Sequence, residues 1–368
     1  MEIIIGGQTV QIESLNPAID DQFVLLHAAY FGNQPLKWSS FEEAAVCLFD
    51  KFPDPLSGIH DSFFNNFTII WRSYLQARNF DAAEDIWRKA MSTAFTWESR
   101  NPGKRIHKGT PYYFWGMTAL ERGDLDKGYS LMHQAVNEDT LTHGKQYPPS
   151  PAFAFASLNY AEPAQAFRDW LFRQMVYIDA KQNAYSDAYQ SGFMLDTFKN
   201  KFLLTPPSVD IGFLFAYSVA RLMQLSKLPA HALASSFAAQ LESNLLFDLT
   251  LVIDGALRAK NPTKWKFIHQ AEFLLRSIGE PLTAQDLGEV NQAFNAGFDA
   301  TLMAILDGSF ELPANRKLSL AQRDVSLTYG MRNRGAHDVT SIPTVWMRFA
   351  EIEQALFNVL YLVVDRLY

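Results

Sequence analysis

The chain has 368 residues, of which 48% are apolar and 14% aromatic, with a formal net charge of −7. That length accommodates two or three domains with sizeable cores, and the aromatic content excludes an intrinsically disordered chain. A single cysteine, Cys47, excludes an internal disulfide framework and a cysteine-based zinc site, and the acidic balance excludes the broad basic face of a protein that lives on duplex DNA. A small site gripping one or two phosphates stays open.

In chain order, the first segment is Ile3-Ile4-Ile5-Gly6-Gly7-Gln8-Thr9-Val10-Gln11-Ile12. Its apolar run, Gly-Gly turn and Val-Gln-Ile alternation predict a short β-hairpin. It lacks the basic flank and long apolar stretch of a secretory signal, and no later run reaches the ~18 apolar residues of a membrane span. A cytoplasmic protein without membrane association is expected, in keeping with the lone cysteine. Beyond the hairpin almost every periodic segment has helical spacing.

Two segments share one pattern. Phe67, Ile70, Trp71 and Tyr74 are followed by Ala83, Trp87 and Ala90; Tyr112, Trp115, Gly116 and Ala119 are followed at the same offsets by Gly128, Met132 and Ala135. The turns Arg78-Asn79-Phe80-Asp81 and Arg122-Gly123-Asp124-Leu125-Asp126 separate the halves of each. Small residues at Ala83 and Gly128 let two helices approach closely. The pattern resembles the tetratricopeptide repeat, stretched from ~34 residues to about 45 by a loop over residues 99–110. Two repeats fall short of the ~3 that a solenoid needs, so helices within residues 18–49 and 163–183 should complete the stack. The run Tyr112-Tyr113-Phe114-Trp115 fits packing between repeats better than base stacking, and Lys104-Arg105-Ile106-His107-Lys108 reads as a solvated basic loop.

Pro-rich breaks follow at residues 146–151 and 203–208. The second marks the expected boundary between an N-terminal domain, 1–205, and a C-terminal helix bundle, 206–368. Helices are predicted over 210–225, 229–259, 264–278, 287–306, 318–332 and 343–367.

The densest chemistry lies near the C-terminus, in Arg332-Asn333-Arg334-Gly335-Ala336-His337. A histidine shuttles protons near neutral pH, and an arginine fork holds a phosphate and stabilises charge developing on it. On an ideal helix residues five apart differ by about 140° in direction, so Arg332 and His337 do not share a face. Gly335 is the expected helix end that would let His337 turn back. The plainer reading makes Arg332 and Arg334 a solvated basic helix terminus. Two other polar residues stand in apolar surroundings. Asp254 in Leu251-Val252-Ile253-Asp254-Gly255 reads as a capping or surface carboxylate or an anchor for the arginines, and His269 as a satisfied core histidine.

An Arg, a following Asn, a four-residue gap and a His within C-terminal helices resemble the signature of the HEPN superfamily. The run Leu241-Glu242-Ser243-Asn244-Leu245-Leu246-Phe247-Asp248-Leu249 resembles the first helix of such domains. The likeness covers residues from about 229 to 368 and implies a four- or five-helix bundle whose motif opens the last long helix. It implies a homodimer, both motifs lining one cleft, that cleaves single-stranded RNA without metal or cofactor. The ribose 2′-OH attacks the adjacent phosphate, leaving a 2′,3′-cyclic phosphate, so DNA resists. His337 would be general base or acid, Arg332 and Arg334 would bind phosphate and stabilise the phosphorane, and Asn333 would orient the phosphate or the histidine. Family members of this build commonly serve in prokaryotic defence or as toxins, with the repeats sensing an activator or protein partner. The alternatives are a non-catalytic adaptor, in which the bundle dimerises and the repeats dock a protein, and an unrelated helical scaffold.

Overall fold

Helical spacing governs the architecture. The computed structural model describes residues 2–5, 8–32, 36–144, 150–161, 165–225, 236–335 and 343–368, and is 77% helix and 2% strand. The chain is all-α, as its periodicity predicts. It divides into two compact units, Met1–Ala154 and Phe155–Tyr368.

The N-terminal unit opens with the expected hairpin, β1 (Glu2–Ile5) antiparallel to β2 (Gln8–Gln11), with Ile3 opposite Val10. Seven helices of this unit follow among the described residues: α1 (Pro17–Gly32), α2 (Trp38–Lys51), α3 (Ile59–Asn65), α4 (Thr68–Gln76), α5 (Phe80–Arg100), α6 (Gly109–Arg122) and α7 (Leu125–His143). Neighbours in sequence pack on one another: α1 on α2, α4 on α5, α5 on α6, α6 on α7. The core is aromatic. Phe23 meets Phe41, Phe63 and Phe67 edge-on at 5.1, 5.5 and 5.2 Å, the geometry that ring quadrupoles favour. Trp87 stacks on Phe114 at 5.6 Å.

The two sequence segments with matching offsets have matching turns. Arg78 takes a left-handed φ of 54° after α4, and Gly123 takes 87° after α6. In each turn the next residue closes the preceding helix and caps the following one. Asn79 N–H donates to Tyr74 O (2.8 Å) and Asn79 Oδ1 accepts from Ala82 N–H; Asp124 N–H donates to Ala119 O (2.9 Å) and Asp124 Oδ1 accepts from Lys127 N–H. The small residues act as the pattern implies. A Cβ at Gly128 would come within 2.4 Å of Leu120 Cδ2 and 2.6 Å of its Cγ, so α7 lies against α6 only because that position is bare. Gly128→Ala should therefore destabilise the unit by about 1–3 kcal/mol, the usual cost of overpacking, and lower its urea midpoint. An unchanged midpoint would mean that Leu120 moves aside freely.

The C-terminal unit contains α8 (Gln165–Tyr189), α9 (Val209–Leu225), α10 (Ser236–Lys260), α11 (Phe267–Ser277), α12 (Ala284–Ala296), α13 (Phe298–Leu306), α14 (Leu320–Gly335) and α15 (Phe349–Leu367). A two-residue hairpin, Glu311–Leu312 with Arg316–Lys317, precedes α14. Helix α15 is buried on every side from Leu356 to Val364, its two polar side chains Asn358 and Tyr361 being hydrogen-bonded, as a central helix requires, and it packs on α8, α10 and α14.

Three expectations need correction. The segment predicted as a single helix over 343–367 is a short helix, Pro343–Met347, and α15, interrupted at Arg348. The segment predicted as one helix over 287–306 breaks at Gly297, whose backbone is extended, and the Thr301 hydroxyl donates to Ala293 O across the break. The boundary expected at 205/206 falls instead at 154/155. Residues 165–205 belong with the C-terminal helices because their side chains do. Phe198 packs on Phe215 and Tyr361, at 5.7 and 5.0 Å, Tyr361 Oη donates to Ile178 O, and Lys181 pairs with the buried Glu353 at 2.5 Å. The Pro206-Pro207 break is thus a turn inside one core.

Candidate functional site

Asp254 lies in the apolar third quarter of α10, and its burial follows from its neighbours: Val252, Ile253, Ala256 and Leu257 are all in the core. A carboxylate buried there needs partners. It has two. Arg258, one turn on, donates Nε to Oδ1 (2.8 Å) and Nη2 to Oδ2 (2.9 Å) as a two-pronged fork. Arg332, from the last turn of α14, donates Nε and Nη2 to Oδ2 at 3.3 and 3.1 Å. Asp254 is therefore the anchor for the arginines rather than a capping or surface residue. The Asp254 side chain is 7% exposed, that of Arg258 34% and that of Arg332 25%, so the acid is internal while both cations reach water.

Aromatic rings complete the setting. The Arg332 guanidinium lies over Phe267 at 5.7 Å, and Phe267 stacks on Tyr329. Asn333 donates Nδ2 to Asn291 Oδ1 on α12 (2.8 Å), which fixes its amide. The Arg334 guanidinium lies over Phe298 at 5.2 Å. Gly330, one turn before Arg334, lets α14 approach Phe294, whose ring carbons would lie 2.4 Å from an added Cβ. Three of the four predicted site residues thus share the end of α14. Arg332, Asn333 and Arg334 lie in α14, which runs to Gly335, and so do not open α15. The fourth, His337, lies outside the described residues. His269 is half-exposed, 3.7 Å from Glu272, and is not a core histidine.

Sequence reasoning missed a second polar constellation, in the N-terminal unit. Of the stretch Lys104–Lys108, expected as a solvated loop, Lys104 is exposed, but Ile106, His107 and Lys108 are buried in an internal hub, because Arg105 and Lys108 meet opposite charges from α5 and α7. Arg105 pairs with Glu138 at 2.6 Å, and Lys108, 4% exposed, is bound to Glu98, with Ile106 O at 2.8 Å. His107 Nε2 is 3.2 Å from Asp139 and 3.6 Å from Asp61, and its backbone N–H donates to His60 Nδ1. This hub explains the long repeat: the last of the extra residues, Ile106–Lys108, form a buried connector. It also explains Gly109, where a Cβ would lie 2.5 Å from Asp139 Oδ1. The one sequence signal was the unusual alternation of cations with Ile106 and His107.

Burial of neutral histidines here has a pH consequence. Desolvation lowers the pKa of His60, against the opposing effect of its hydrogen bond to Phe52 O, and likewise lowers that of His27, whose Nδ1 bonds Phe23 O. The unfolded chain then binds protons near pH 6.5 that the folded unit refuses, so this stability is full above that pH and is lost as pH falls below it, by at most about 1.4 kcal/mol per pH unit for each histidine. In the other unit, burial pushes Asp324 up to about 6 despite hydrogen bonds from Asn358 and Tyr189. Its contribution is full below the ordinary carboxylate pKa and is lost as pH rises through about 6. Acidification from pH 8 to 5.5 should lower hydrogen-exchange protection in α1–α7 and raise it in α8, α14 and α15. A uniform change in both units would refute this.

Among the described residues no helix is long and apolar enough to cross a membrane. Compared with known proteins, the chain matches no family model, no curated protein and no solved structure.

Proposed function

We propose that the C-terminal unit is a HEPN-like, metal-independent endoribonuclease acting on single-stranded RNA as a homodimer. One observation carries the reading. Arg332, five positions before His337, is held at the end of α14 by a buried carboxylate that engages Nε and Nη2, while Nη1 makes no hydrogen bond among the described residues. A guanidinium held on one edge is preorganised to meet a phosphate with the other, and it keeps that position as charge develops. Arg334 supplies further positive charge and Asn333 a positioned amide. His337 moves the proton of the attacking 2′-OH or of the leaving oxygen. The matched turns at Asn79 and Asp124 support a tetratricopeptide-like N-terminal unit that docks an activator or protein partner. A role in prokaryotic defence or as a toxin, in the cytoplasm, rests on the family resemblance alone.

The second reading is a non-catalytic adaptor. The specific observation in its favour is that Arg332 already has an internal structural partner in Asp254. Cleavage of a mixed-sequence single-stranded RNA in EDTA separates the two. The ribonuclease cuts, leaves 2′,3′-cyclic phosphate ends and spares the matching DNA, and His337→Ala stops it. An equal rate in His337→Ala would sink the proposal, and no cutting by either protein would favour the adaptor.

A further inference from the structure

Trp265 is 77% exposed, more than any other large apolar side chain among the described residues. It lies in the short connection between α10 and α11, flanked in sequence by Lys264 and Lys266, both exposed. Burying an indole against water-facing apolar groups is the ordinary outcome of folding, so a ring left out this far needs a use. Among the described residues its ring meets a cation: the Arg258 guanidinium lies 5.7 Å from its centroid. That same guanidinium is forked onto Asp254, which holds Arg332. Two residues after Trp265, Phe267 lies beneath Arg332. At most about 7 Å of backbone spans that step. On a chain of net charge −7, Arg258 and Arg332 thus share one internal acid beside an exposed indole whose chain neighbours, Lys264 and Lys266, are exposed cations.

We propose that Trp265 is a stacking platform for an unpaired base of single-stranded RNA, with Lys264, Lys266 and Arg258 receiving the adjoining phosphates. The inference rests on the ribonuclease reading for the identity of the strand, while the stacking chemistry stands on its own residues. Every base presents a π-face and every linkage a negative charge, so a ring interleaved with cations suits a single strand and gives affinity without sequence choice. A duplex, whose bases are already stacked, should bind poorly. The platform grips the strand beside Arg332, where the reactive phosphate must be brought.

The test uses the full-length protein and a fluorescein-labelled, fully 2′-O-methylated twelve-nucleotide RNA, which cannot be cut, read by anisotropy at low salt. Trp265→Ala should weaken binding roughly 5- to 100-fold, and Trp265→Phe should recover most of the loss. Lys264→Ala with Lys266→Ala should weaken it and flatten its salt dependence. The site is exposed, so these variants should keep the wild-type circular dichroism spectrum. Equal affinity in wild type and Trp265→Ala, or no wild-type binding at all, overturns the platform. Binding through Trp265 by a protein that leaves ordinary RNA intact would uphold the platform and count against the ribonuclease reading. Cutting by wild type with no loss of affinity in Trp265→Ala would do the reverse.

Discussion

Asp254→Ala should cost the C-terminal unit about 2–3 kcal/mol and, under the ribonuclease proposal, stop RNA cleavage. The change removes a carboxylate that two arginines share, so two partly buried cations lose their counter-charge at once. Breaking a fully buried pair in this way costs about 3–5 kcal/mol. The lower figure applies because Arg258 and Arg332 reach water and can be partly resolvated. Arg258→Ala should cost less, because Asp254 keeps the two hydrogen bonds from Arg332. Asp254→Asn keeps the shape and some hydrogen bonding, so it should fall between. Urea unfolding followed by a probe confined to α10–α15 measures each step. If Asp254→Ala were neutral, the burial of that carboxylate would not require the arginines, and Arg332 would have no reason to be where it is.

The sequence announced the helices, and their spacing was enough: the capping residues Asn79 and Asp124 are short polar side chains at the turns, and the small residues at Ala83 and Gly128 follow the large-small alternation. These signals are local. What stayed hidden is long-range. Pro206-Pro207 looks like a domain break, yet Phe198, Phe215 and Tyr361 pack together across it, from three separate parts of the chain. Lys104–Lys108 looks solvated because its counter-charges, Glu98, Glu138 and Asp139, belong to two other helices. Asp254 was visible as an oddity in an apolar run, but its partner Arg332 lies 78 positions later, and no periodicity connects them. In the motif itself, residue types suggested the chemistry; only packing explains why Arg332 is positioned, why Asn333 is tied to Asn291 and how Gly330 lets α14 approach Phe294.

Under the ribonuclease proposal, Arg332→Ala and Arg332→Lys should each lower the single-turnover rate of RNA cleavage by at least about 100-fold while leaving the fold intact. The alanine variant loses one of two cations on Asp254, and the remaining fork from Arg258 keeps that acid satisfied, so the stability cost should stay near 1–2 kcal/mol. The lysine variant decides more. Its ammonium can still pair with Asp254, but it is a point charge and lacks an edge for the carboxylate and another for the phosphate. If Arg332 only balances charge in the bundle, lysine should restore wild-type behaviour. If Arg332 bridges an internal acid and the reacting phosphate, lysine should rescue stability without rescuing rate. Arg258→Ala provides the contrast, because it disturbs the same carboxylate from the side away from the motif: its loss should appear in affinity for RNA, with the rate at saturating RNA changed by less than about tenfold. A lysine variant that cuts at the wild-type rate would remove Arg332 from the chemistry and leave it as a structural tie.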